Sequence, residues 1–232
     1  MSEYNYDSFS PNDYDFKSEA GPAIGEHAPN FQLISTDGLV VDLLAFEGDY
    51  LVLELGSVTC PLFHTRRQGM QTMQKSFADV SFAVLYVREA HPGLIIPAHK
   101  NIEDKQKCAA RLTEEDGDTR KILVDGIEGR AHKAYGSLPN AVYIIDKDGI
   151  VRFKSLWNNP VSTQKALNAL VAGIEVDIKS YFAPAKPSIV LQTAARAGKG
   201  SAIDFFKGLP MLIWNNLIKL NVRTFLSKAP KP

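Results

Sequence analysis

Tyr50-Leu51-Val52-Leu53-Glu54-Leu55, followed by Gly56-Ser57-Val58-Thr59-Cys60-Pro61-Leu62-Phe63, decides how this chain is read. The first six residues form a short, mostly apolar run, the pattern of a strand buried on both faces. Pro61 stands where a helix can begin, because a first-turn residue needs no N–H donor. Arg66 to Phe77 continues with Gly69 as the one breaker. Cys60 therefore lies just past a central strand, at a helix start, and ligands of such sheets bind outside the carboxyl ends of central strands. A thiol there faces unpaired N–H groups and the positive end of the helix dipole, and both favour the thiolate. Thr59 is a candidate donor to the sulfur. Phe63 stands three residues on, so Cys60 has no partner for a C-x-x-C disulfide. The plainer reading is a buried cysteine acting as a small hydrophobe.

Working outward, strand and helix signals alternate. Phe31–Ile34 and Leu39–Asp42 flank the turn Thr36-Asp37-Gly38 and predict a hairpin. Ser81–Val87 and Lys121–Val124 read as buried strands, and Ala141–Ile145 with Ile150–Phe153 as a hairpin around Asp146-Lys147-Asp148-Gly149. Helices are expected over 101–115, 129–135 and 161–179. The order predicts an α/β fold, a central mixed sheet flanked by helices. Pro139, just before a strand, is a candidate to face the cysteine across the sheet end, in either cis or trans form.

The chain has 26 basic and 26 acidic residues, which argues against a nucleic-acid binder. The charge is unevenly placed. Residues 1–22 carry five acids against Lys17, and residues 181–232 carry eight cations against Asp204. We read a flexible acidic segment (1–22), a folded domain (23–180) and a basic amphipathic extension (181–232). No apolar run reaches the roughly 18 residues of a membrane span, and the polar N-terminus does not read as a secretory signal. Two cysteines, Cys60 and Cys108, exclude a disulfide scaffold, and the five histidines show no zinc spacing. A reducing, cytoplasmic setting with no metal fits this usage.

Several motifs bear a resemblance to one family, in its order, over about 29–180. Pro29 to Cys60 resembles the opening of thioredoxin-fold redoxins. Gly56-Ser57-Val58-Thr59-Cys60-Pro61-Leu62-Phe63 is similar to the selenocysteine site of the iodothyronine deiodinases, with Cys60 in the selenocysteine place. Tyr86-Val87-Arg88-Glu89-Ala90-His91-Pro92, His99-Lys100-Asn101-Ile102-Glu103-Asp104-Lys105, Tyr135-Gly136-Ser137-Leu138-Pro139 and Trp157-Asn158-Asn159-Pro160 match four further motifs. Cysteine for selenocysteine, and no N-terminal membrane helix, suit a bacterial member. The resemblance implies a thioredoxin-like domain and a thiol-dependent reductive dehalogenation of an aromatic substrate. Cys60 would be the nucleophile. His91 and His99 would bind substrate and handle protons, and Glu89 would orient a histidine. Ser57, Thr59, Pro61, Phe63 and Pro139 would support the site, and Cys108 is a candidate resolving cysteine. No bound cofactor is implied, only an external thiol reductant. A peroxiredoxin-like peroxidase and a non-catalytic binding module on the same scaffold are the alternatives.

In the extension, Pro210 is expected to open a helix to about Leu226. Ile213, Trp214, Leu217, Ile218, Leu220 and Phe225 fall on one side, with Asn215, Asn216, Lys219 and Arg223 opposite. Such a helix suits packing on its own domain over the active site, a homodimer interface, or peripheral membrane contact through 200–226.

Overall fold

The computed structural model describes residues 4–16 and 20–227. The Pro/Lys ending from Lys228, and the charges at Glu3, Lys17 and Glu19, lie outside the described residues. Strands β1 (Gln32–Ser35), β2 (Val40–Asp42), β3 (Tyr50–Gly56), β4 (Val80–Tyr86), β5 (Lys121–Val124), β6 (Val142–Asp146) and β7 (Val151–Ser155) form one sheet. Its order is β2-β1-β5-β4-β3-β6-β7. β3 and β5 both pair parallel to β4, and β6 runs antiparallel to β3, so the sheet is mixed.

Alternation along the central strands sorts two cores. Leu51, Leu53, Leu55, Leu85 and Tyr143 join one cluster with Ala131 of α3 (Arg130–Ala134) and the N-terminal Phe9 and Tyr14. On the other face, Phe63 of α1 (Pro61–Ser76) and Leu112 of α2 (Ile102–Glu114) pack on Val84 and Tyr86. Met70, Met73 and Leu167 of α4 (Pro160–Val171) pack on Val52, Phe82 and Ile144. α4 is shorter than the expected 161–179. Gly173 takes φ +68°, and its N–H and that of Ile174 bond Leu170 and Ala169, an αL stop that the pair Ala172-Gly173 encodes.

The sequence reading of 1–22 as a flexible acidic head is corrected at its described residues. Tyr4, Tyr6 and Tyr14 gather around Arg88, whose guanidinium lies 4.6–5.2 Å from their ring centroids. Arg88 Nη1 also donates to Tyr4 O at 2.6 Å, and Tyr6 Oη donates to Ala90 O at 2.9 Å. Aromatic burial outweighs the acidic composition.

The extension packs on the domain. It comprises α5 (Pro187–Ala197), α6 (Ser201–Leu212), a π-helical stretch (Ile213–Leu220) and α7 (Asn221–Leu226). Pro210 does not open a helix but lies inside α6, whose start is Ser201. The amides of Leu94, Ile95 and Ile96 donate to carbonyls of Ala197 and Lys199, and Ser201 Oγ donates to His91 O at 3.0 Å. Gly208 lets α6 approach the N-terminal segment, since a Cβ there would lie 2.7 Å from Pro11 Cγ.

Beneath the site runs a fully buried polar cluster. Glu54 of β3 accepts from Arg120, from Asn140 Nδ2 at 2.8 Å and from Asn158 Nδ2 at 2.6 Å. Arg120 also holds Asp118 through two bonds, at 2.9 and 2.7 Å. Removing the cation leaves two buried carboxylates uncompensated. Arg120→Met is expected to lower stability by about 3–5 kcal/mol in urea unfolding; a loss below about 1 kcal/mol, the value of an exposed pair, would contradict this account.

Candidate active site

Cys60 is the N-cap residue of α1 with Pro61 at its first turn, four residues beyond the end of β3, and it is 1% exposed. The helix start was expected to favour the thiolate. Burial wins instead: it pushes the Cys60 thiol up to about 12, although the N–H groups of Phe63 and Leu62 and the nearby Arg66 act the other way. Cys60 therefore rests as a thiol.

Thr59 does not serve the sulfur as expected. Its Oγ1 donates to Glu89 Oε2 at 2.6 Å, and its N–H donates to the same oxygen at 2.9 Å. Thr59 Oγ1 also accepts from His91 N at 3.0 Å, and Ser57 Oγ accepts from Ala90 N at 3.2 Å. These bonds tie the β3–α1 loop to the segment after β4. Phe63 is a buried support whose ring would meet any Cβ at Gly56.

Glu89 is the hub. Its Oε1 is bonded by Tyr86 Oη, by His99 Nε2 at 3.0 Å and by Cys108 Sγ at 3.6 Å. Burial alone would raise its carboxyl. The His99 bond and charge, with the Thr59 and Tyr86 hydroxyls, overrule burial and hold it down at about 2, so Glu89 is ionised. Glu89, His99 and Cys108 place ligand atoms within 4.8 Å of one another, as a metal could use. The hydrogen bonds already made to the Glu89 oxygens account for that closeness. Cys108 remains a free, buried thiol, pushed up by burial and by Glu89.

A cavity of about 320 Å³ lies over Cys60. Cys60, Pro61, His91, Pro139 and Trp157 form its floor, and Phe9, Tyr14 and Phe16 one wall. Phe205, Leu212, Ile213 and Asn216 of the extension roof it. The Pro139 peptide is trans. His91 packs between Phe9 and Phe205, at 4.2 and 5.2 Å between centroids, and its Nδ1 has no hydrogen-bond partner. Burial lowers His91 to about 3, against a small opposing pull from Glu89, and keeps it neutral. Of the expected residues, Cys60, Pro61, His91 and Pro139 meet at the cavity. His99, Glu89, Ser57, Thr59, Phe63 and Cys108 are not on its wall; Cys108 belongs to the same buried cluster as Cys60.

The sequence reading missed Tyr86, the N-terminal aromatics and the roof. Tyr86 was visible in its motif. Five aromatics among residues 4–16 of an acidic stretch were a burial signal that net charge obscured. His132 is fully buried and bonded to Tyr4 Oη and Leu138 O at 2.9 and 3.1 Å.

A model of the iodothyronine deiodinase family matches residues 12–159, and the chain belongs to that family. Human thyroxine 5-deiodinase is 30% identical over 149 residues, 57% of this chain and 46% of that protein. The match thus spans about half the length of such relatives. A crystal structure of an uncharacterized conserved protein from Geobacillus kaustophilus is 25% identical, with TM-score 0.55 over 68% of this chain and 87% of that one. The thioredoxin domain of a thiol-disulfide oxidoreductase from Bacteroides vulgatus has TM-score 0.50 at 15% identity, over 65% of this chain and 99% of that one. The fold is thioredoxin-like. The roof residues lie outside the stretch that the family model matches.

Burial also sets an acid limit on stability. His91 and His132, both lowered to about 3 by burial, are neutral in the fold, whereas the unfolded chain protonates them near 6.5. Their contribution is complete above pH 6.5 and is lost as pH falls toward 3. Glu89 adds a second loss between about 4.5 and 2. The unfolding free energy from urea titration is expected to be level between about pH 7 and 8, below the range where Lys105 and Cys60 contribute, and to fall below 6.5, by about 1.4 kcal/mol per pH unit for each histidine. A midpoint unchanged between pH 7 and 5 would show that the histidines are not held neutral.

Proposed function

We propose that the protein is a thiol-dependent oxidoreductase that removes iodine, or a similarly soft halogen, from an apolar aromatic substrate. One observation carries the reading. Cys60, a buried thiol, and His91, a buried neutral imidazole, line one cavity walled mostly by aromatic and aliphatic side chains. Family membership supports the same chemistry.

In this reading the neutral His91 imidazole takes the Cys60 proton as the sulfur bonds the halogen. The sulfur attacks the halogen. An S–I bond forms, the C–I pair stays with the ring carbon, and that carbon takes a proton returned through His91. An external thiol then attacks the sulfenyl iodide, releasing iodide and a proton and leaving a mixed disulfide. A second thiol restores Cys60. The balance is one aryl iodide and two thiols giving the arene, one disulfide and hydrogen iodide. The aromatic and aliphatic lining offers the sulfenyl iodide few polar neighbours. Glu89 and His99 act behind the reacting atoms. Glu89 fixes the Thr59-Cys60 loop, and His99 Nε2 is hydrogen-bonded to its carboxylate. Cys108 donates into that network, so the reductant is an external thiol.

Iodide release from iodothyronines and iodophenols with dithiothreitol tests the reading. Cys60→Ser is expected to abolish release. His91→Ala is expected to slow it by roughly 10²–10⁴, the usual range for a lost acid–base group. Release that survives Cys60→Ser would rule out this mechanism. A folded, reduced enzyme that releases no iodide but is oxidised by peroxide faster than a free thiol would favour the peroxidase alternative.

A further inference from the structure

The extension has a second apolar surface, directed away from the domain. From Ser201 onward, Ser201, Gly208 and Asn216 are the buried residues among those described, facing inward. Pro210, Trp214, Ile218, Val222 and Leu226, each four residues after the last, are all exposed. Trp214 and Val222 are more than half exposed, and Leu226 is 75% exposed. A row of cations borders this stripe: Lys207, Lys219 and Arg223 are exposed, and Lys219 Nζ lies 5.5 Å from the Trp214 ring centroid. Lys228 and Lys231 follow in the sequence. On the other border, Phe206, Ile213 and Leu217 are exposed and also line the cavity, as does Leu191 of α5. The cavity therefore opens through a ring of exposed apolar side chains that continues into the stripe.

We infer that this surface docks on an anionic lipid bilayer, with the cavity mouth turned toward the lipid. The stripe buries apolar area at the acyl boundary, Trp214 sits at the headgroup level, and the cations pair with anionic headgroups. A second copy of the chain would cover the stripe but would add its own row of cations; an anionic layer satisfies both features. Among the described residues no helix is long and apolar enough to cross a membrane, so the contact is peripheral. Docking in this orientation lets an apolar compound pass from lipid to the Cys60 cavity without crossing water. Only that last consequence rests on the proposed function, because the docking itself needs no substrate.

Sedimentation of the full chain with phosphatidylcholine vesicles, with and without half phosphatidylglycerol, tests the inference. Binding to the anionic vesicles is expected, weakening as salt rises from about 0.05 to 0.5 M. Trp214→Glu/Ile218→Glu is expected to lose at least tenfold in binding, and Lys207→Gln or Lys219→Gln roughly fivefold each. Brominated lipid should quench wild-type tryptophan fluorescence but not that of Trp214→Phe, whose remaining Trp157 lies on the cavity floor. Cys60→Ser should bind as wild type, which keeps this result separate from the chemistry. Folded wild type that fails to bind, or binding that survives Trp214→Glu/Ile218→Glu, would overturn the inference. So would a dimer that the double variant dissociates without any vesicle binding.

Discussion

The carboxylate of Glu89 is buried, ionised and bonded at both oxygens, and the site is arranged around that constraint. A carboxylate taken out of water is costly unless hydrogen bonds replace its hydration. The replacements come from three separate segments. Thr59 supplies two bonds from the loop that carries Cys60, Tyr86 supplies one from the end of β4, and His99 and Cys108 supply one each from the approach to α2 and from α2 itself. The charge therefore cannot be satisfied unless β3, β4 and α2 are correctly placed. His91 is two residues further on, and its own N–H is held by Thr59. Cys60 and His91 are thus positioned by the same hydroxyl group, which Glu89 orients.

Cys60 shows two general rules in competition. A helix N-terminus stabilises a thiolate, and an apolar enclosure destabilises one. Here the helix contributes two N–H groups and Arg66 a more distant charge, yet enclosure prevails. A resting thiol avoids oxidation that a standing thiolate invites. It also shifts the demand onto a base within the cavity. The same burial that raises the cysteine lowers the histidine, so the proposed proton transfer to His91 is uphill at rest and has to accompany the bond change at sulfur. One apolar environment moves both groups toward their uncharged forms.

The parts legible in the sequence are those governed by local rules. The apolar run 50–55, the alternation of 81–87 and the turn at 146–149 each name their element, and motif order assembles Cys60, Glu89, His91 and His99. The motif Trp157-Asn158-Asn159-Pro160 proves to hold three functions in four residues: cavity floor, buried donor to Glu54, and helix cap with first-turn proline. What was not legible depends on partners distant in the chain. Tyr4, Tyr6 and Tyr14 have no periodicity of their own, and only Arg88 explains them. The direction of the Thr59 hydroxyl is set by Glu89, thirty residues away. Charge counting misjudged residues 4–16 because rings, not carboxylates, determine their burial.

The extension shows why a helical wheel drawn at 3.6 residues per turn misplaced Asn216. Positions four apart in an α-helix drift by about 40° at each step, so a stripe at 210, 214, 218, 222 and 226 would wind well around the axis. The turns at 213–220 hold more residues each and slow that drift. Pro210, which has no N–H to give Phe206 O, lies just upstream, where a regular ladder is already interrupted. Asn216 Nδ2 donates to Leu212 O at 3.1 Å, the carbonyl that an α-turn would bond to the Asn216 backbone. An asparagine that appears to belong on the polar face is thus turned inward to satisfy the wider helix. The consequence is a helix with one face closing the cavity above Cys60 and a straight apolar face outside it. Both faces depend on the same few residues of irregular backbone.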